Sequence, residues 1–189
     1  MNILLLDIMD TLVRDPFHDA LPAFFGLDTA SYLEQKDREA WIRFELGEID
    51  EATFCAQMFS DRREVDVDGL RKTLSDAYEL IEGIEPLLKE LTEAGFEMHA
   101  LSNYPVWYRL IEEKLRLSRW ISWSFVSCET GFRKPDPTTY ISAARVLGVP
   151  RDALIFVDDK KRNTHAAEQA GVPSVRFSGA VALRSAILG

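Results

Sequence analysis

Short apolar runs alternate with segments of helical pattern over most of this chain, and that alternation constrains its fold more than any other feature. The predicted strands are Ile3 to Asp7, Phe96 to Ser102, Phe125 to Cys128, Leu154 to Asp158 and Ser174 to Phe177. Three helical segments begin at Pro or end just before Gly, and they are Pro86 to Ala94, Pro137 to Leu147 and Asn163 to Ala170. Alternation with this punctuation predicts an α/β fold, a doubly wound parallel sheet built from βαβ units.

One long interval lacks this alternation. Residues 17–82 contain no convincing strand and show helical spacing of apolar side chains, for example at Leu70 and Leu74. We expect these helices to form a cap over the C-terminal edge of the sheet, with hinges near Asp15 and Leu80. The expected domains are an α/β core of residues 1–15 and 83–189 and a helical cap of residues 16–82.

Composition excludes some classes of function. The net charge of −9 and the lack of a local Lys/Arg cluster argue against a nucleic-acid-binding surface. No apolar run approaches the roughly 18 residues of a membrane span, so we expect no membrane partner. Two cysteines, Cys55 and Cys128, fit a reducing compartment. We expect a cytoplasmic protein, or one of the plastid stroma if a transit peptide has been removed.

The first predicted strand ends in a carboxylate. In the sequence LLLDIMDTLV, Leu4 to Val13, an apolar run stops at Asp7 and a Thr-containing turn follows. A buried parallel strand delivers such a group to the crevice at the carboxyl ends of the strands, where open α/β sheets bind ligands. Asp7 is therefore a candidate covalent nucleophile.

Two further segments carry groups that an aspartyl nucleophile needs. Ser102 and Asn103 end a strand, and their hydroxyl and backbone N–H groups can hold a phosphate oxygen, or alternatively cap the following helix from Pro105 to Leu115. Lys134 lies on a loop constrained by prolines, where its ammonium can offset the charge of the nucleophile and of a phosphoryl group. A solvated surface lysine is the alternative.

A pair of carboxylates ends another predicted strand. Asp158 and Asp159 at a sheet edge repel each other unless a cation holds them, and Mg²⁺ is the economical partner because it prefers hard oxygen ligands. Asn163 falls on the first turn of the next helix, where it can orient a carboxylate or cap the helix. None of the three histidines has a spaced partner that suggests a zinc site.

These segments, in this order and spacing, resemble the haloacid dehalogenase superfamily of aspartyl-phosphate phosphatases and related hydrolases over nearly the whole chain. The resemblance implies that Asp7 is the nucleophile and that Thr11 and Ser102 support the substrate phosphate. It implies that Lys134 balances charge at the nucleophile. The implied Mg²⁺ ligands are Asp7, the backbone carbonyl of Met9, Asp158 and Asp159.

A narrower likeness concerns the substrate. The strings DIMDTLVRDPF, PAFFG, SNYPVWY, IEEKL, RKPDP and FVDD are similar to those of the plant chloroplast FMN hydrolase branch, which removes the 5′-phosphate of FMN to give riboflavin. This implies a small phosphorylated metabolite as partner. Asn103 and Tyr104 are the expected substrate contacts, Tyr104 because it is nearest the implied phosphate position. Trp41 and Phe44 can stack on an isoalloxazine ring or form the core of the cap.

One position departs from the wider superfamily. Most of its phosphatases carry a second Asp two residues after the nucleophile, which protonates the leaving alcohol and later activates water, and here that position is Met9. Loss of such a group typically costs about 10²- to 10⁴-fold in rate. The FMN hydrolase branch shares Met at this position, and Asp10 is a candidate replacement.

Three activities remain open on these grounds. The first is a Mg²⁺-dependent phosphomonoesterase. The second is a carbon–halogen hydrolase, whose halide leaving group needs no proton, although the Asp158-Asp159 pair argues against it because an alkyl halide brings no charge that requires a metal. The third is a catalytically weak protein that binds a phosphorylated metabolite or a partner protein.

Overall fold

A five-stranded parallel sheet forms the centre of the molecule. The computed structural model describes residues 3–189. The strands are β1 Ile3–Leu6, β2 Glu97–Ser102, β3 Ser122–Val126, β4 Leu154–Asp158 and β5 Ser174–Arg176. Their order is β3-β2-β1-β4-β5, and every pair is parallel. From β1 the chain adds β2 and β3 on one side, and it then returns to add β4 and β5 on the other side. This order confirms the predicted doubly wound α/β sheet.

Eleven α-helices are described in residues 3–189. Five of them lie between β1 and β2, and they are α1 Ala20–Phe24, α2 Thr29–Gln35, α3 Arg38–Glu45, α4 Glu51–Gln57 and α5 Val67–Ala77. The others are α6 Ile84–Glu93, α7 Tyr108–Leu115, α8 Ser127–Thr130, α9 Pro137–Leu147, α10 Lys161–Gln169 and α11 Ala180–Leu188. None of these helices is both long enough and apolar enough to cross a bilayer.

The third strand differs from its prediction. The apolar run from Phe125 to Cys128 predicts the strand, but β3 begins at Ser122, and Ser127 and Cys128 start helix α8. β3 is an edge strand whose first residues stay partly exposed, and serines flank Trp123 there, so no continuous apolar run marks its beginning.

Aspartates explain where the helices between β1 and β2 begin. The side chains of Asp28, Asp37, Asp50 and Asp66 accept hydrogen bonds from backbone N–H groups in the first turns of α2, α3, α4 and α5. A carboxylate at this position satisfies donors that have no partner within the helix. Residues 16–82, which carry these helices, are called the helical insert below.

The insert shares its apolar core with one face of the sheet. Leu4 and Leu6 of β1 belong to the same buried cluster as Phe44 and Phe54 of the insert, whereas Leu5 packs on the opposite face. Helix α5 ends at Ala77, and the backbone is extended at Tyr78.

The two connections between insert and sheet pair with each other. Arg14 N donates to Glu79 O (2.9 Å), and Ile81 N donates to Leu12 O (2.9 Å). An antiparallel bridge joins Val13 to Leu80. The chain therefore enters and leaves the insert through two hydrogen-bonded segments at one place, and the predicted hinges near Asp15 and Leu80 lie at its border.

Candidate active site

The carboxyl ends of three adjacent strands deliver the candidate catalytic residues. Asp7 directly follows β1, and its backbone N–H donates to Val157 O (2.9 Å), so it continues the pairing with β4. Ser102 and Asp158 are the last residues of the flanking strands β2 and β4. Because the strands are parallel and in register, all three side chains meet at one edge of the sheet.

A buried lysine joins the two carboxylates. Lys134 Nζ donates to Asp7 Oδ1 (2.7 Å) and to Asp158 Oδ2 (2.7 Å). The side chain of Lys134 is only 2% exposed, and Asp7 and Asp158 are buried as well. The alternative of a solvated surface lysine is therefore wrong. Charges removed from water in this way require close partners, and each member of this trio has one.

The carboxylate of Asp158 is held on all sides. Asn163 Nδ2 lies 3.0 Å from both of its oxygens, and Lys160 N donates to Oδ1 (2.8 Å). Tyr140 OH in turn donates to the backbone carbonyl of Asn163 (2.9 Å). These bonds fix Asp158 as the anchor of Lys134, and Asn163 orients a carboxylate as its sequence position indicates.

Asn103 positions the loop that carries Lys134. Its Oδ1 accepts from Lys134 N (2.7 Å), and its Nδ2 donates to Lys134 O (2.8 Å). The neighbouring Tyr104 is buried, and its hydroxyl lies 2.8 Å from the hydroxyl of Tyr78. Both Asn103 and Tyr104 line the cavity described below, although their polar side-chain atoms already have protein partners.

Two hydroxyl groups lie near the nucleophile. Thr11 Oγ1 donates to Asp7 Oδ2 at 3.4 Å and is completely buried. The Oγ of Ser102 is buried and has no hydrogen-bond partner among the residues that the structure describes. Buried polar atoms nearly always have a partner, so an unpaired hydroxyl at the end of β2 is unusual.

Three carboxylates form a cluster suited to a hard cation. One carboxylate oxygen each of Asp7, Asp158 and Asp159 lies within 4.8 Å of the others. Oδ1 of Asp159 is buried and has no hydrogen-bond partner within residues 3–189, although Lys160 Nζ lies 4.0 Å from it. An oxygen-only donor set with one unused, buried oxygen fits Mg²⁺. The side chain of Met9 lies against the same cavity, so only its backbone carbonyl is suited to join this set.

Burial and charge set the protonation of the site. Burial raises the pKa of Asp7 to about 7, and the charge of Asp158 adds to this, while Lys134 acts in the opposite direction. Burial by itself lowers the pKa of Lys134, but Asp7 and Asp158 outweigh it and raise that pKa above its ordinary value. Burial also raises the pKa of Asp159. Lys134 is therefore the fixed positive charge of the site.

A cavity of about 350 Å³ opens above Asp7 and Lys134, between the sheet edge and the insert. Its lining includes Phe17, Trp41 and Lys36 of the insert. The ammonium of Lys36 lies 5.3 Å from the ring centroid of Phe17 and 6.0 Å from that of Trp41. The part of the cavity wall that the insert forms thus combines aromatic surface with a cation.

Glu45 links the insert to the loop of Lys134. Its Oε2 accepts from Arg133 Nη2 (2.6 Å), and its Oε1 accepts from Trp41 Nε1 (2.8 Å). Burial raises the pKa of Glu45, although Arg133 and Trp41 act in the opposite direction. This bridge fixes the orientation of the Trp41 ring, and it places Arg133 against the insert.

Several cavity-lining residues carry no signal in the sequence. His18, Lys36, Lys160 and Arg162 belong to this group. His18 lies eight residues after Asp10 in an irregular segment, yet its Nε2 is 2.7 Å from Asp10 Oδ2. Only tertiary structure brings these two side chains together, so no periodicity could have indicated the contact.

Comparison with known proteins extends these observations. A family model described as haloacid dehalogenase-like hydrolase matches residues 1–171. Flavin mononucleotide hydrolase 1 of Arabidopsis thaliana, a chloroplast protein, is 44% identical over 183 residues, which cover 97% of this chain and 75% of the relative.

Solved structures share the fold. A predicted HAD-like family hydrolase from Porphyromonas gingivalis superimposes with a TM-score of 0.79 at 17% identity, over 100% of this chain and 98% of the other. The enzyme bt-2542 of Bacteroides thetaiotaomicron, as an Asp-to-Ala mutant in complex with magnesium and inorganic phosphate, gives a TM-score of 0.78 at 17% identity over 94% of both chains.

Proposed function

The chain belongs to the haloacid dehalogenase-like hydrolases as a phosphatase, and we propose that it is a Mg²⁺-dependent phosphomonoesterase that converts FMN to riboflavin and phosphate. The observation that carries the proposal is the buried trio of Asp7, Lys134 and Asp158, which holds a carboxylate nucleophile beside a fixed positive charge at the floor of a cavity. Such an arrangement suits attack on an anionic substrate.

The residues of the site have separate tasks in this reaction. A carboxylate oxygen of Asp7 attacks phosphorus, the bond from phosphorus to the ester oxygen breaks, and water then hydrolyses the aspartyl phosphate. Lys134 offsets the charge that accumulates on the phosphoryl oxygens, and Ser102 donates its free hydroxyl to one of them. Mg²⁺ held by Asp7, Asp158, Asp159 and the carbonyl of Met9 would supply further positive charge to the phosphoryl group.

Two observations support FMN as the substrate. The Arabidopsis relative, at 44% identity over nearly the whole chain, is named for this activity. The cavity also offers the aromatic rings of Phe17 and Trp41 together with the ammonium of Lys36, a surface that suits a planar ring carrying carbonyl groups. In this proposal residues 16–82 act as the cap, and the chloroplast location of the relative supports the plastid stroma as the compartment.

The test is phosphate release from FMN with and without Mg²⁺, beside sugar phosphates, nucleotides and an aryl phosphate. We expect Mg²⁺-dependent release from FMN, at a higher kcat/KM than from the ring-free esters. Asp7→Asn is the control that removes the nucleophile and should abolish release. Failure to hydrolyse any ester, with Mg²⁺ still bound, would instead favour a binding protein. Carbon–halogen hydrolysis needs no metal, so it does not account for a buried Asp159 oxygen that has no hydrogen-bond partner.

A further inference from the structure

The residues assigned to the reaction so far include no general acid or base. An alkyl phosphate expels a strongly basic alkoxide, which needs a proton as it leaves, and the water that cleaves the aspartyl phosphate must lose one. Met9 occupies the place of the usual Asp, and its thioether can do neither. Some other residue at the cavity must carry the proton if FMN is turned over.

Most ionisable groups that line the cavity are already committed. Glu45 is bound to Arg133 and Trp41, and Lys134 to the two carboxylates beside it. The ammonium groups of Lys36 and Lys160 and the guanidinium of Arg162 remain, but lysine is a poor base near neutral pH and arginine stays protonated. Two groups are left, the carboxyl of Asp15 and the imidazole of His18.

The side chain of His18 is 60% exposed, and two hydrogen bonds fix its place at the cavity. Its Nε2 lies 2.7 Å from Asp10 Oδ2, and Asp10 Oδ1 accepts from Asp15 N (3.2 Å). The backbone carbonyl of His18 accepts from Thr29 Oγ1 (2.8 Å). His18 lines the cavity, whereas Asp10 is not among the described residues that do so. A carboxylate therefore holds one ring nitrogen, and Nδ1 has no hydrogen-bond partner within residues 3–189.

We propose that His18 is the general acid and base of the reaction, in the role that Met9 cannot fill, and that Asp10 is a positioning residue that orients its ring. This inference rests on the proposed phosphatase function and deepens it. Asp10 is then not the catalytic carboxylate that replaces the usual Asp, because its Oδ2 is engaged by the ring of His18.

His18 donates one proton in the first step and takes one back in the second. In the first, Asp7 attacks phosphorus, the bond between phosphorus and the substrate oxygen breaks, and the leaving alkoxide takes a proton from the imidazolium of His18. In the second, the neutral imidazole takes a proton from water while the water oxygen attacks phosphorus. The bond between phosphorus and Asp7 then breaks, which regenerates the carboxylate, releases phosphate and leaves His18 protonated again.

The charges around His18 agree with this role. The hydrogen bond that His18 Nε2 makes to Asp10 raises the pKa of His18, partial burial acts in the opposite direction, and the negative charges of Asp10, Asp15 and Asp19 raise it further. All of these groups are acidic, and they favour the imidazolium over the neutral ring.

The test compares an alkyl with an aryl ester in His18→Gln, with Mg²⁺ present. We expect kcat for FMN to fall by roughly 10²-fold or more, since the alkoxide loses its proton donor. With 4-nitrophenyl phosphate the leaving group needs no proton, so the first-turnover burst of nitrophenolate should persist while later turnovers slow. Asp10→Asn should lower the pKa of His18 and move the alkaline limb of first-turnover riboflavin formation to lower pH.

His165→Gln is the matched control, because His165 is exposed on α10 and does not line the cavity. It should behave as the wild type on both esters. The proposal is overturned if His18→Gln hydrolyses FMN within about threefold of the wild-type rate, too small a change for a proton-transfer group. It is equally overturned if the burst disappears together with FMN turnover, or if Asp15→Asn rather than His18→Gln separates the two esters.

The wild-type protein separates this inference from the proposed function. If it hydrolyses other alkyl phosphates but not FMN, the proposed substrate is wrong, and the His18 comparison is made on the alkyl ester that it does hydrolyse. If it gives a burst with the aryl ester and hydrolyses no alkyl ester at all, no general acid operates and the His18 proposal fails.

Discussion

At the scale of single residues, the buried position of Lys134 governs both stability and chemistry. Its ammonium lies 2.7 Å from an oxygen of each flanking carboxylate, and all three groups are almost inaccessible to water. Replacing Lys134 by Met leaves Asp7 and Asp158 buried without their counter-charge. Breaking one partner out of such a group typically costs about 3–5 kcal/mol.

We therefore expect Lys134→Met, studied by urea denaturation in the presence of a chelator, to lose about 3–5 kcal/mol of unfolding free energy at neutral pH. The loss should shrink as the pH falls, because burial raises the pKa of Asp7 to about 7 and protonation of this carboxyl removes an uncompensated charge. Lys89→Met is the control, since the side chain of Lys89 is 72% exposed on α6. A loss as small as that of the control would contradict the charge-balance account.

The same scale shows what the sequence could predict. Asp7, Ser102 and Asp158 end apolar strands, so their convergence follows from parallel pairing alone. The contacts of His18 with Asp10 and of Glu45 with Arg133 instead join segments that only tertiary structure brings together. No local pattern encodes these contacts. The sequence therefore predicts the group of residues at the strand ends, but not the contacts of His18 and Glu45.

At the scale of elements, the junction between α3 and α8 determines how the insert meets the sheet. Gly47 follows α3 with φ +70, and a Cβ added there would lie 2.3 Å from the backbone oxygen of Cys128. The Oγ of Ser127 also hydrogen-bonds to the carbonyl of Glu45. The backbone of the insert thus packs directly against the helix that follows β3.

Gly47→Ala tests this junction. The left-handed backbone costs an alanine about 1–2 kcal/mol, and the contact with Cys128 adds roughly 1–3 kcal/mol of overpacking. Gly26→Ala is matched to it, because Gly26 has φ +67 but no atom within 4 Å of an added Cβ. We expect Gly47→Ala to lose clearly more unfolding free energy in urea than Gly26→Ala. Equal losses would mean that the backbone near Gly47 shifts to relieve the contact with Cys128.

At the scale of the whole molecule, charge is distributed unevenly. The chain carries a net charge of −9, yet the cavity is lined by five cationic side chains, which are Lys36, Arg133, Lys134, Lys160 and Arg162. An acidic protein that binds an anionic ester must concentrate its positive groups in this way. Lys36 comes from the insert and the other four come from the segments around the sheet, so we expect the proposed cap to take part in recognition of the substrate.

Rapid acid quenching of the protein during its first turnover of FMN with Mg²⁺, followed by mass spectrometry of the peptide that contains Asp7, tests the aspartyl-phosphate mechanism most directly. This mechanism predicts a transient phosphoryl group on Asp7 that appears as riboflavin forms, then decays as phosphate is released. Asp7→Asn should form neither product nor modified peptide. Formation of riboflavin with Asp7 unmodified at every quench time would contradict the aspartyl-phosphate mechanism.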